Sequence, residues 1–224
     1  MTYSPLRLRV AGVAAVAAIA LSVLQVLLTP AHLDGSTHEM AAAAAAHATA
    51  AYAAGWCEML WGLCAALACI TVTGLVRAGR GSRLTAVGGW LNTISLLSLG
   101  FSTLAVSQVA IADRASPATA VRAIDAMNGS PGLTPVLVLL LLGLLFPIVL
   151  GAGLARAGLV GWWYVGVTAL ATVFFVGLTD AASLPLRLVA VVPAAVTWAL
   201  WVMLLNRAAG VASPAPAEQV ATAA

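Results

Sequence analysis

Six stretches of this sequence, at 10–28, 51–76, 84–111, 133–154, 159–178 and 185–206, are apolar over the length of a membrane span. A helix needs about 20 such residues to cross about 30 Å of hydrocarbon. Charged residues make up 8% of the 224, against roughly a quarter in a soluble domain, so a soluble globular fold is excluded. The high apolar content and the three cysteines exclude a disordered chain and a disulfide-built one. The expected fold is all-α, a single domain over 1–210 built as a bundle of six transmembrane helices with short surface helices on its outer side. Residues 211–224 contain Ser213-Pro214-Ala215-Pro216 and read as a disordered cytoplasmic tail. Arg7 and Arg9 precede the first stretch as they would a signal peptide. The stretch exceeds the roughly 7–15 apolar residues of such a signal, so it reads as a retained span.

Arginine placement sets the orientation. With the N-terminus inside, Arg7, Arg9, Arg77, Arg80, Arg83, Arg156 and Arg207 are cytoplasmic, and Arg114, Arg122 and Arg187 are outside. That asymmetry predicts a multi-pass plasma-membrane protein with both termini in the cytoplasm. Two outer loops carry helix signals. Ser36-Thr37-His38-Glu39 has the form of a capping box, and the Ala-rich run after it should continue into the second span with a bend at Gly55. Ser116-Pro117 through Asn128-Gly129 reads as a short surface helix, a lid over the outer mouth.

Several chemistries fall away. All ten basic residues are Arg, so no Schiff base forms on lysine. The pI of about 9.1 comes from Arg scattered at span ends rather than clustered on a face, so no nucleic-acid partner is expected. His38 and His47, nine residues apart in a helix, face opposite sides, and no metal site is expected with His32 and Glu39. Cys57, Cys64 and Cys69 form no C-x-x-C pair. No glycine-rich phosphate loop or aspartate-rich diphosphate motif occurs, and no cofactor is implied.

The polar residues inside the spans carry the functional signal. Glu58, in Trp56-Cys57-Glu58-Met59-Leu60-Trp61, lies about 9 Å inside the second span at 1.5 Å per residue. An ionised carboxylate there costs about 2.5–3.5 kcal/mol, so it should be neutral, paired or facing a cavity. It is either a proton donor or a structural hydrogen-bonding group. Asp180 ends the fifth span at similar depth, and Arg187 follows as a site residue or as its interfacial ion-pair partner. Gln25 and Gln108 add polar groups from the first and third spans. Trp61, Phe101, Phe174 and Phe175 share the layer and would line an apolar pocket. Trp56, Trp162 and Trp163 read as an interfacial belt. Asn92, Ser95, Ser98 and Ser102 form a stripe that reads as a helix–helix contact. Pro147 and Pro193 each free a carbonyl within a span.

These features resemble the small integral-membrane terpene cyclases, the fungal meroterpenoid cyclases and their bacterial counterparts acting on farnesylated indoles. That family is almost entirely membrane helix. It has a glutamate beside a tryptophan early in the second span, matched by Trp56-Cys57-Glu58, and an aspartate near a late helix end, matched by Thr179-Asp180. The fungal members have seven spans against six here. The resemblance implies metal-free protonation of a terminal alkene or epoxide on a lipophilic, prenylated substrate drawn from the membrane lipids. Glu58 and Asp180 would be the catalytic acids. Trp56, Trp61, Phe101, Gln108, Phe174, Phe175, Gln25 and Arg187 would surround the substrate. Two other readings stay open: an exporter or channel using the polar layer as a gate, and a non-catalytic accessory subunit docking through the surface helix.

Overall fold

Transmembrane length and apolar composition meet in three helices of the computed structural model, which describes residues 4–29, 37–100, 116–128, 138, 143–178 and 183–212. Within these residues the chain is all-α: α1 Pro5–Leu28, α2 Thr37–Ala46, α3 Ala48–Thr73, α4 Ser82–Gly100, α5 Pro117–Asn128, α6 Phe146–Arg156, α7 Trp163–Leu178 and α8 Leu184–Ala212. The three long apolar helices are α1, α3 and α8, and the chain is a membrane protein.

Each element has a local cause. Ser4 Oγ accepts from Arg7 N at 3.3 Å, and Pro5 follows in the first turn, so α1 starts ahead of the expected position 10. Ser116 does the same for α5, accepting from Thr119 N at 3.2 Å. Ser22, Thr71, Thr73 and Thr93 each donate to the carbonyl four residues earlier, which buries their hydroxyls without leaving them unpaired.

The helices close into a ring in which α1 packs on α3, α3 on α4, α4 on α6, α6 on α7, α7 on α8, and α8 back on α1. The short α2 lies against α5 and α3. Along much of α1 and α3 small residues face inward and large ones outward. α1 buries Ala11, Ala15 and Ala18 and exposes Val10, Val13, Val16, Leu24 and Leu27. α3 buries Ala65, Ala68 and Cys69 and exposes Leu60, Leu63 and Leu67. A water-soluble helix does the reverse; an exposed apolar face this long suits contact with lipid. One close crossing joins α3 to α4 at Gly62 and Gly100. A Cβ on Gly62 would stand 2.6 Å from Gly100 Cα and 2.8 Å from the Leu96 carbonyl oxygen.

The structure departs from sequence expectation in four places. The bend after the Ala-rich run comes at His47, where φ is −124° and ψ is 45°, and Gly55 is buried inside an unbroken α3. The expected span 133–154 is interrupted by a turn at 144–145, with α6 restarting at Phe146. Pro147 suits the restart: it lacks an N–H, which costs no hydrogen bond in a first turn. α8 runs to Ala212, two residues into the stretch expected to be tail. Pro193 sits inside α8, which continues through it, and Thr197 Oγ1 donates to the Pro193 carbonyl at 3.0 Å. Residues 101–111, 133–137 and 213–224 lie outside the described residues.

Candidate functional site

The ring lines a partly open cavity of about 110 Å³ near the middle of the helices. Five of its six helices contribute to the wall, and α1 does not. Trp61 of α3 faces Trp198 of α8, their ring centroids 5.7 Å apart at 49°, and Trp201 lies one turn along from Trp198. Leu96, Leu99, Leu144 and Pro147 complete the apolar part.

Trp201 is held in place from behind. It is 2% exposed, and its Nε1 donates to the hydroxyl of Tyr164, itself 1% exposed, at 2.6 Å. That bond ties α8 to α7 and fixes the indole face on the cavity.

Polar groups enter the wall from four helices, and most are already committed. Thr168 Oγ1 donates to the Val165 carbonyl at 2.9 Å. Thr172 Oγ1 lies 3.0 Å from the Leu144 carbonyl and 3.1 Å from that of Thr168. The Leu144 contact matters because the turn at 144–145 removes that oxygen from a regular helix. Irregular backbone at membrane depth persists where it lines a cavity or is buried in protein. Here Leu144 lines the cavity and Thr172 supplies its partner. Asn92 Nδ2 donates to Cys69 Sγ at 3.4 Å, and Ser95 packs against Gly143, where a Cβ would collide with its Oγ. Asn92 and Ser95 thus make helix contacts of the kind expected of the α4 stripe, and both border the cavity as well; Ser102 lies outside the described residues.

Of the residues singled out from sequence, Trp61 lines the cavity. Glu58 is one turn away on the same helix, half-buried, with Oε2 screened from solvent. Its carbonyl oxygen faces Gly100 at the α3–α4 crossing. Phe174 is half-buried on α7, beyond the part of that helix that lines the cavity. Gln25 is on α1, away from the wall. Trp56 is 44% exposed and stands edge-on to Tyr52 at 6.3 Å, as an interfacial belt residue would. Arg187 is only 7% exposed, and its Nη1 donates to the Thr29 carbonyl at 3.3 Å. It therefore caps the C-terminal end of α1 from the first turn of α8, where a cation suits the helix dipole. Phe101, Gln108 and Asp180 lie outside the described residues, as does the side chain of Phe175.

Trp198, Trp201, Tyr164, Thr168, Thr172 and Thr197 escaped sequence reasoning. Their signal was helical spacing, at i and i+4 in Thr168/Thr172 and Thr197/Trp201. The chemistry available is that of an apolar chamber with aromatic faces, which stabilise positive charge, and hydroxyl oxygens with lone pairs to spare. Comparison with known proteins finds no matching family, no curated relative and no matching solved structure.

The Tyr164–Trp201 bond has a measurable signature. Tyr164→Phe orphans the buried indole N–H and lowers stability by about 1–3 kcal/mol. When Trp201 is already Phe, the same change costs less than about 0.5 kcal/mol in reversible denaturation from mixed micelles. Equal costs in both backgrounds contradict the pairing.

Proposed function

We propose that this chain is a six-span membrane enzyme that takes the prenyl end of a lipophilic substrate into the central cavity and cyclises it after protonation. The observation that carries the reading is the tryptophan wall of Trp61, Trp198 and Trp201, with Glu58 three residues, about 4.5 Å of helical rise, along α3 from that wall. A cavity near 150 Å³ holds benzene. A space of about 110 Å³ therefore takes about one isoprene unit, the end of such a molecule that is protonated rather than all of it.

The proposed chemistry needs no metal. The Glu58 carboxyl gives its proton to the terminal carbon of an alkene, or to the oxygen of an epoxide. The alkene π pair forms the new C–H bond, or the epoxide C–O bond breaks, and a tertiary cation remains. Internal alkenes attack that cation to close rings, with the indole faces stabilising the charge and the dry wall keeping water from quenching it. Loss of a proton to a carboxylate, Glu58 itself or Asp180, ends the sequence. The reaction is then an isomerisation.

In the proposed topology α1, α3, α4, the segment ending in α6, α7 and α8 all cross the bilayer, and both termini are cytoplasmic. The arginine asymmetry supports it. In a background with Cys57, Cys64 and Cys69 replaced by Ala, Ser36→Cys and Ser116→Cys react with an impermeant maleimide from outside. Ser82→Cys reacts only after permeabilisation; its labelling in intact cells overturns the topology. For the chemistry, purified protein in nanodiscs is incubated with farnesylated indoles and the products are resolved by mass and NMR. Glu58→Gln keeps shape and removes the transferable proton, so turnover falls by about 10²–10⁴-fold while binding persists. Near wild-type cyclisation by that variant makes Glu58 structural.

A further inference from the structure

The end of the ring where α3 passes to α4 and α6 to α7 brings two arginines together. Arg80 stands in the α3–α4 turn between Gly79 and Gly81, whose φ values of 86° and 87° favour glycine. Gly81 is pressed against the last turn of α6: a Cβ there would collide with the Gly153 carbonyl oxygen and stand 3.2 Å from Arg156 Cβ. Arg80 precedes Gly81 by one peptide, about 3.8 Å between Cα atoms, so Arg80 and Arg156 start within about 10 Å of each other. Both side chains are exposed. The carboxylates among the described residues are Glu39 on α2, Glu58 in the first half of α3 and Asp125 on α5, toward the other end. Glu58 stands about 24 Å of helical rise from Gly74, where α3 ends. Two like charges held this close without a carboxylate repel, and an anion between them removes the repulsion.

The surroundings say which anion. Leu84 in the first turn of α4, Leu159 three residues after Arg156, and Trp162 and Trp163 ahead of α7 are all exposed. Leucines in this position meet acyl chains, and tryptophans mark the level of the headgroups. A soluble anion gains nothing from such neighbours; a phospholipid gains from both ends. We propose that Arg80 and Arg156 together hold the phosphate of an anionic phospholipid, with its chains beside Leu84 and Leu159. Guanidinium groups suit this ligand, because each presents paired N–H donors in the spacing of phosphate oxygens. A phosphate bound to both also bridges α4 and α6 at the crossing where Gly81 and Thr85 meet Gly153. The site is independent of the cavity and of the reaction proposed for it.

The experiment is native mass spectrometry of the full chain in neutral detergent, titrated with phosphatidylglycerol, phosphatidylcholine or inorganic phosphate. Wild-type protein takes its first phosphatidylglycerol roughly tenfold tighter than phosphatidylcholine. Arg80→Gln with Arg156→Gln removes that preference, and Arg80→Lys with Arg156→Lys keeps it within about threefold. Arg9→Gln with Arg207→Gln takes the same charge from the opposite side of the same end, and the affinity changes by less than about twofold. As a readout that needs no variant, a photoactivatable phosphatidylglycerol labels segments 77–84 and 156–163 of the wild type. Equal losses in the two double Gln variants reduce the effect to net charge and overturn the proposal. So do equal affinities for the two lipids in the wild type, displacement of the lipid by millimolar inorganic phosphate, or labelling confined to other segments.

Discussion

Lipid is as apolar as leucine, so helices inside a bilayer gain nothing by hiding large hydrophobic side chains from it. What holds this ring together is close backbone approach at small residues, as at Gly62 against Gly100 and at Gly153 against Thr85. The alanine face of α1 and the alanine and cysteine face of α3 follow the same rule. Large residues turn inward as well: Leu150, Leu154, Tyr164 and Leu205 pack in the same core, and Trp61, Leu99, Trp198 and Trp201 border the cavity.

The membrane also decides the chemistry of that space. Every hydroxyl and every carbonyl displaced from a helix needs a partner inside the protein. The threonines therefore serve the backbone first, and Thr172 repairs the break at Leu144 from a neighbouring helix. The wall left behind has aromatic faces, oxygen lone pairs and few free donors. Arg187 serves the same economy at the other boundary, closing the end of α1 against the start of α8. Its burial explains an arginine at the edge of an apolar helix without requiring a role in substrate binding.

The helices were legible in the sequence because length and apolarity count residues without reference to neighbours. The cap at Ser116 and the helix at Pro117–Asn128 were legible for the same local reason, whereas the cap at Ser4, just as local, was passed over. The break before α6 was half legible: Pro147 signalled it, but a proline within a span kinks a helix or restarts one, and the partners that choose between these sit on α7. The placing of Glu58 and Trp61 three residues apart on one helix followed from helical spacing. The far wall did not. Thr168 and Thr172 have the same spacing whether they face lipid, a neighbouring helix or a cavity, and only ring closure by α7 and α8 turns them inward. Arg187 and Thr29 are 158 residues apart, and nothing local joins them.

The central claim is that a lipophilic molecule enters the ring rather than coating it. Photo-crosslinking of the protein in nanodiscs with a diazirine placed at the prenyl terminus of a farnesyl analogue, followed by peptide mapping, reads this directly. The account predicts adducts at Leu96, Leu99, Leu144 and Trp198 that are competed away by excess unlabelled analogue. Adducts confined to outward-facing residues such as Val13, Leu63, Trp90 and Val192, and insensitive to competitor, would contradict it.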